Sequence, residues 1–180
     1  MPLIYINGIS GAGKSSVMDE LGKRDYETHG IDEEGYADWI DRQTKEIKPF
    51  PHDDPDLDIH GWFAKHHWVI NEQRVRELHD KFQHSEKFVF LCGNAGNEEK
   101  VWDYFDKILT LTIDTDTILK RLQERTTNHF GKTPEEVQDV LRWHKEYDEK
   151  SKKYGALLID ATQALDDVVD EIIRRSKDSN

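Results

Sequence analysis

The chain has 180 residues, of which 36% are hydrophobic and 34% charged, and its formal net charge at pH 7 is −12. Disordered chains are poor in aromatic residues, so the 10% of Phe, Trp and Tyr found here predicts a compact core beneath a highly charged surface. Nucleic acids and anionic membranes attract Lys and Arg, and we therefore expect no nucleic-acid or membrane partner for so acidic a chain.

The single cysteine, Cys92, excludes an internal disulfide and is typical of a reducing compartment. The N-terminal apolar run has no basic region before it and is too short for a signal peptide or a membrane span. We expect a cytoplasmic protein, a monomer or homodimer, with one domain over residues 1–180.

Short apolar runs alternate with helical patterns along the chain. Strands are predicted over 3–6, 26–31, 87–93, 108–113 and 156–159. Helices are predicted over 14–22, 34–46, 61–84, 97–105, 116–125, 134–150 and 165–175. This alternation favours a mostly parallel sheet that helices cover on both faces.

A phosphate-binding pattern follows the first predicted strand. The run GISGAGKS, residues 8–15, has the spacing G-x4-G-K-S between a strand and a helix. Its glycines let backbone N–H groups turn toward phosphates, and the helix N-terminus adds partial positive charge. In this pattern Lys14 reaches the β and γ phosphates and the Ser15 hydroxyl binds Mg²⁺. The predicted cofactor-binding residues here are Gly8, Ser10, Gly11, Ala12, Gly13, Lys14, Ser15 and Ser16.

With this motif the chain resembles the small P-loop kinases, the group of shikimate, gluconate and nucleoside monophosphate kinases. Further family-like segments follow in the expected order, so the resemblance covers nearly the whole length. It implies a three-layer α/β/α P-loop fold with a five-stranded parallel sheet of order 2-3-1-4-5, and ATP and Mg²⁺ as cofactors. It also implies a short lid, at about 126–134, and the helical patterns over about 34–84 predict a helical insert on the substrate side.

The segment LKRLQERTTNHF, residues 119–130, looks like the Arg-Leu-x-x-Arg…His-Phe stretch of gluconate kinases. Arg121 and Arg125 are four residues apart and share one helix face. Because phosphoryl transfer needs positive charge on the equatorial oxygens, both are candidate catalytic residues beside Lys14. The alternative is that these arginines balance the neighbouring acids Asp116 and Glu124 at the surface.

The segment IDATQAL, residues 159–165, is similar to the family's loop that holds the adenine ring, largely through backbone atoms. Ala161 and Thr162 are the candidate residues. An ordinary strand–helix turn with Thr162 near the N-cap is the alternative interpretation.

Two segments are candidates for binding the acceptor. The resemblance to shikimate-type kinases implies an acid after the second strand that holds magnesium waters and the acceptor hydroxyl, and Asp32 is the candidate, with a catalytic role in orienting or deprotonating that hydroxyl. Asp32 is otherwise one of several acids that favour the start of the next predicted helix.

The run CGNAGN, residues 92–97, looks like the glycine-rich turn that contacts the acceptor in shikimate kinases. Gly93, Asn94 and Asn97 are the candidates, although Asn97 is also a candidate N-cap. No Walker-B acid follows the strand 88–91, so Asp32 is expected to support Mg²⁺ through water. Aromatic residues of the insert, Trp39, Trp62, Phe63 and Trp68, are expected to wall the acceptor pocket or to form core.

These features together predict an ATP-dependent phosphotransferase that acts on a small molecule with a shikimate-, gluconate- or sugar-like hydroxyl. A nucleoside or nucleoside monophosphate acceptor stays open. So does a nucleotide-binding regulatory module with little catalysis.

Overall fold

A computed structural model describes residues 3–51, 54, 56–124 and 133–178. Its strands are β1 (Leu3–Gly8), β2 (Glu27–Gly30), β3 (Ala37–Asp41), β4 (His66–Ile70), β5 (Val89–Cys92), β6 (Lys107–Thr112) and β7 (Leu157–Asp160). Its α-helices are α1 (Lys14–Lys23), α2 (Ile59–Lys65), α3 (Glu72–Phe82), α4 (Thr115–Glu124), α5 (Pro134–Lys153) and α6 (Leu165–Lys177). Two 3₁₀ turns, Glu98–Lys100 and Trp102–Tyr104, connect β5 to β6.

Five strands form a parallel sheet in the order β2-β5-β1-β6-β7. Counted within this sheet alone the order is 2-3-1-4-5, and the chain-wide numbers differ because β3 and β4 form a separate two-stranded sheet. The predicted α/β fold is therefore confirmed.

The central strand β1 is buried along its whole length. Successive side chains of a strand point to opposite faces: Ile4 and Ile6 pack in a core with residues of α1 and α6, while Leu3 and Tyr5 pack in a second core with residues of α3. This burial on both faces explains why β1 reads as a continuous apolar run.

The predicted helices over 34–46 and 61–84 are wrong as continuous helices. Residues 37–41 and 66–70 instead pair as the antiparallel strands β3 and β4, with Trp39 opposite Trp68 and their ring centroids 5.3 Å apart. Aromatic and β-branched side chains favour strands when they find cross-strand partners. That pairing outweighs the helical spacing, and among the described residues of the insert only α2 and α3 are α-helical.

The start of α5 agrees with the sequence. Thr133 caps the helix, its hydroxyl accepts a hydrogen bond from the Glu136 backbone N–H, and Pro134 begins the helix. The reciprocal bond from the Thr133 N–H to the Glu136 carboxylate completes a capping box. Within the part of the chain that the structure describes, no helix is long and apolar enough to cross a membrane.

Candidate functional site

The chain leaves the centre of the sheet through a glycine-rich loop between β1 and α1. A Cβ on Gly8 would lie 2.8 Å from the carbonyl oxygen of Leu111, so the approach to β6 requires glycine at this position. Gly13 has a φ of 98° and precedes the first turn of α1. This backbone conformation is the one that glycine adopts without strain.

Lys14 is folded across the mouth of this loop. Its Nζ donates hydrogen bonds to the carbonyl oxygens of Gly8, at 2.7 Å, and Ile9, at 2.9 Å. The ammonium group is thus held at the N-terminus of α1, where the helix dipole also favours an anion. Ser15 follows in the first turn of the helix, beside Lys14 in the same cleft.

A cleft lies at the carboxyl ends of β1, β2 and β5. Its lining is formed by Lys14, Ser15, Met18, Asp32, Glu33, Cys92 and Gly93. The carboxyl ends of neighbouring parallel strands share one edge of the sheet, which is where ligands bind in open α/β folds. The topology therefore brings Asp32 and Gly93 next to Lys14 although they are distant in sequence.

Asp32 is exposed to solvent at the edge of the cleft, and its carboxyl group is partly covered by neighbouring residues. Surrounding protein atoms raise its pKa, the positive charge of Lys14 opposes this rise, and Glu33 adds to it. No described residue exchanges a hydrogen bond with the Asp32 side chain. Glu34 differs, because its carboxylate accepts the Gly30 N–H at 3.1 Å and faces His29 Nδ1 at 2.7 Å. The Asp32 side chain lines the cleft. The Glu34 side chain instead stabilises, through its contacts with Gly30 and His29, the turn that contains Asp32.

The turn after β5 is bonded to the insert. The Gly96 N–H donates to the Trp68 carbonyl at 2.8 Å, and Trp68 Nε1 donates to the Asn94 carbonyl at 3.0 Å. The Asn97 side-chain oxygen accepts the Ile70 N–H at 2.7 Å. It makes no capping bond to the 3₁₀ turn that follows. Three residues of this turn were predicted to bind the acceptor molecule. Gly93 lines the cleft, while Asn94 and Asn97 accept hydrogen bonds from β4.

Arg121 connects two loops that are far apart in the chain. Its Nη1 lies 3.4 Å from the Gly11 carbonyl oxygen and 3.3 Å from that of Ala12, and its Nη2 lies 2.7 Å from that of Ala161. The guanidinium group thus joins the phosphate-binding loop to the predicted base loop. Arg125 and residues 126–132 of the predicted lid lie outside the described residues.

Asp160 organises the predicted base loop. Its carboxylate accepts bonds from the Thr162 hydroxyl at 2.6 Å, the Thr162 N–H at 3.0 Å and Gln163 Nε2 at 2.9 Å. These bonds, that of the Thr162 hydroxyl foremost, lower the pKa of Asp160. The N-cap of α6 is Ala164, so Thr162 belongs to the turn before the helix.

Two features of the site have no clear signal in the sequence. One is the aromatic cluster of the insert, in which Trp39 has Phe63 at 5.4 Å, Phe50 at 5.8 Å and Trp68 at 5.3 Å, measured between ring centroids. The sequence suggested these aromatics but not their arrangement on two strands. The other is Glu98, which is buried beneath the phosphate-binding loop and which no local pattern distinguishes from its neighbour Glu99.

No protein-family model matches the chain, and no curated protein matches it. Solved structures do. Shikimate kinase from Acinetobacter baumannii in complex with shikimate is 16% identical, covers 98% of this chain and 93% of its own, and has a TM-score of 0.62. Deoxyadenosine kinase from M. mycoides with bound dATP is 16% identical, with 99% and 100% covered and a TM-score of 0.54.

A gluconokinase from Sinorhizobium meliloti 1021 is 19% identical over 96% of this chain and 90% of its own, with a TM-score of 0.52. At these identities the likeness shows the fold alone. The chain thus has the fold of the small P-loop kinases, as the sequence predicted.

Proposed function

We propose that the protein is an ATP-dependent phosphotransferase that acts on a hydroxyl group of a small molecule. The observation that carries this proposal is the cleft in which Lys14 and Ser15 of the phosphate-binding loop face Asp32 and Gly93 from two neighbouring strand ends. Donor-side and acceptor-side groups then share one space, as in-line transfer of a phosphoryl group requires.

The loop residues fit ATP and Mg²⁺. The glycine conformations and the N-terminus of α1 suit a polyphosphate, and Lys14 is in place to exchange its carbonyl partners for the β and γ phosphate oxygens. The Ser15 hydroxyl is the candidate ligand for Mg²⁺, which when bound neutralises charge on the phosphates. The remaining loop residues and the Ala161–Thr162 backbone hold the rest of the nucleotide.

Asp32 is the proposed residue for the acceptor hydroxyl. A carboxylate that lines the cleft beside Lys14 accepts the hydroxyl proton or fixes its direction. The rise in its pKa increases its basicity, which suits the first of these roles. Arg121 acts on the donor side, because its contacts are with the two nucleotide loops. For Arg125 the catalytic role stays a prediction.

A shikimate-, gluconate- or sugar-like hydroxyl is the first candidate for the acceptor, and structures of this fold include enzymes named for shikimate and gluconate. A nucleoside is the second, favoured by the aromatic cluster that adjoins the turn after β5. Arg74 donates to the carbonyl oxygens of Glu34 and Gly35, and Arg76 donates to the Tyr104 hydroxyl. Both arginines are thus engaged with neighbouring protein groups.

The test is acceptor-dependent formation of ADP from Mg-ATP across a panel of sugars, shikimate-like acids, nucleosides, nucleotides and a short oligonucleotide. We expect one small-molecule class to support turnover. We also expect Lys14→Ala to lower kcat/KM by at least about 100-fold, because it removes the positive charge that stabilises the transferred phosphoryl group. The control is Lys23→Ala on the same helix, since Lys23 pairs only with the neighbouring Glu20 in the described structure.

Binding of Mg-ADP without transfer to any acceptor would contradict the proposal in favour of a nucleotide-binding regulatory module. Phosphorylation of the oligonucleotide would contradict the expectation drawn from net charge. Full activity of Lys14→Ala would contradict the proposed role of the phosphate-binding loop in the reaction.

A further inference from the structure

A buried acid lies beneath the phosphate-binding loop. Glu98 is 1% exposed, and its Oε2 accepts hydrogen bonds from Tyr5 Oη at 2.8 Å, Tyr147 Oη at 3.1 Å and Asn7 Nδ2 at 3.3 Å. The Asn7 side-chain oxygen in turn accepts from Thr110 Oγ1 at 2.7 Å. One carboxylate oxygen of Glu98 thus accepts hydrogen bonds from residues of β1 and α5, and Asn7 connects β6 to the same network.

This network touches the first residue of the phosphate-binding loop. Tyr5 and Asn7 lie on β1, which ends at Gly8. Tyr147 donates to the same carboxylate oxygen as Tyr5 and Asn7. Burial foremost, and the neighbouring Glu98, raise the pKa of the Tyr147 phenol, while the backbone N–H of Gly8 opposes the rise. Tyr147 is therefore linked through Glu98 to Asn7, the residue that precedes Gly8.

A structural role alone accounts poorly for a carboxylate at this position. Taking a charge out of water is costly, and burial raises the pKa of Glu98, which the hydrogen bonds from Tyr5 and Tyr147 oppose. Lys150 pairs with the neighbouring Glu99, at 2.9 Å, and its positive charge also opposes the rise in the pKa of Glu98. A neutral amide of the same shape would avoid the cost of burying a charge and would keep one acceptor oxygen. What the charge adds is a strong, directional acceptor for the groups at the base of the loop.

We propose that Glu98 and Tyr147 are positioning residues that hold the start of the phosphate-binding loop, at Gly8, in the conformation that receives the nucleotide phosphates. They act through Asn7 and Gly8 and do not touch the nucleotide. The inference rests on the proposed function, because it requires the loop to bind a nucleotide. Since the two side chains act through one hydrogen bond, their effects on nucleotide binding are not additive.

The experiment is calorimetric titration of the full chain with Mg-ADP for wild type, Tyr147→Phe, Glu98→Gln and the double variant. We expect each single variant to raise the Kd for Mg-ADP by about 10-fold, the scale of one hydrogen bond in a buried network. The double variant is expected to raise it little further. The KM for ATP should rise by the same factor, while the KM for the acceptor stays at the wild-type value.

Two matched controls carry the same chemical changes beside the network. Tyr154→Phe alters the C-cap residue of α5, which is 47% exposed. Glu99→Gln breaks the pair with Lys150, which joins the same 3₁₀ turn to the same helix. Both should leave the Kd for Mg-ADP unchanged. If they weaken it as much as the network variants do, the effect is a general loosening of α5 and the inference is wrong.

The remaining outcomes separate the inference from the proposed function. A wild-type protein that does not bind Mg-ADP overturns both. A wild-type protein that binds it, with Tyr147→Phe and Glu98→Gln binding equally well, overturns the inference alone. Urea unfolding of each variant accompanies the titration: we expect Glu98→Gln to be no less stable than wild type at neutral pH, so that its loss of affinity is not a loss of fold. Should Glu98→Gln fail to fold, Tyr147→Phe decides the matter, because it removes a single oxygen.

Discussion

The two sides of the cleft are built in different ways. The donor side is one contiguous run, from β1 through the glycine-rich loop into α1, and its shape is set by backbone conformation. The acceptor side is assembled from the turn after β2, the turn after β5 and strand β4, which hydrogen bonds bring together across the chain. Local sequence therefore determines the shape of the proposed phosphate site, whereas long-range packing shapes the proposed acceptor side.

The sharpest test of this comparison is Asp32→Asn. The amide keeps the shape of the side chain and removes its ability to take a proton, so we expect kcat to fall by about 100-fold or more. The Kd for ADP, measured without Mg²⁺, should stay within about twofold of wild type because the donor side is intact. Asp38→Asn makes the same change on β3, outside the cleft, and should leave both quantities unaltered. A large loss of ADP affinity in Asp32→Asn would show that the two sides are not separate.

Trp39→Ala is expected to have the next largest effect. It removes the centre of the aromatic cluster, and we expect the free energy of unfolding to fall by about 2–3 kcal/mol. This loss is smaller than that expected for a fully buried Trp, because the Trp39 ring is half-buried. The KM for the acceptor should rise while the Kd for Mg-ADP is maintained. The matched control is Trp143→Ala, since Trp143 is 39% exposed on α5. Equal losses of acceptor and ADP binding would argue against an independent acceptor side.

Trp68→Phe isolates one bond between the insert and the turn after β5. It removes the donor to the Asn94 carbonyl and keeps most of the ring, so we expect the free energy of unfolding to fall by about 1 kcal/mol. Trp102→Phe is the control, because Trp102 Nε1 is buried without a hydrogen-bond partner among the described residues. Urea unfolding of both variants gives the comparison, and an equal change would mean that the bond to Asn94 contributes nothing.

The smallest expected effect is in the pH dependence of stability. Burial raises the pKa of Glu98 in the folded protein, opposed by the hydrogen bonds from Tyr5 and Tyr147. A raised pKa contributes stability that is present below the ordinary carboxyl pKa and lost as pH rises through the folded value. The free energy of unfolding of wild type should therefore fall, relative to Glu98→Gln, as pH rises above the ordinary Glu pKa of about 4. A difference that is flat above this pH, or of opposite sign, would contradict the raised pKa.

The donor side could be predicted because its signals are local. The spacing of Gly8, Gly13 and Lys14 between a strand and a helix specifies a loop whose backbone geometry follows from the residue types themselves. The apolar runs of β1 and β5 likewise predict central strands, since a strand covered on both faces has no polar side.

The insert could not be predicted in the same way. Residues 66–70 read as helix because apolar side chains recur at helical spacing around them, yet they form a strand through pairing with 37–41. The role of Asn97 also depends on a distant partner, because its side chain bonds the backbone of Ile70 and not its own turn. Glu98 is the extreme case: its three hydrogen-bond donors among the described residues come from two distant segments, β1 and α5, and nothing in the adjacent sequence indicates that it is buried.

The position of β1 in the sheet has a consequence for biosynthesis. β1 is synthesised before the other strands of this sheet, yet it lies in the middle between β5 and β6, so that Leu3 pairs with Val89 and Gly8 with Leu111. No contact within the first eighty residues can complete the central strand's hydrogen bonding. Contacts this far apart in sequence slow folding. β1 therefore lacks its native strand partners until β5 and β6 have been synthesised, and so does the strand end from which the phosphate-binding loop starts.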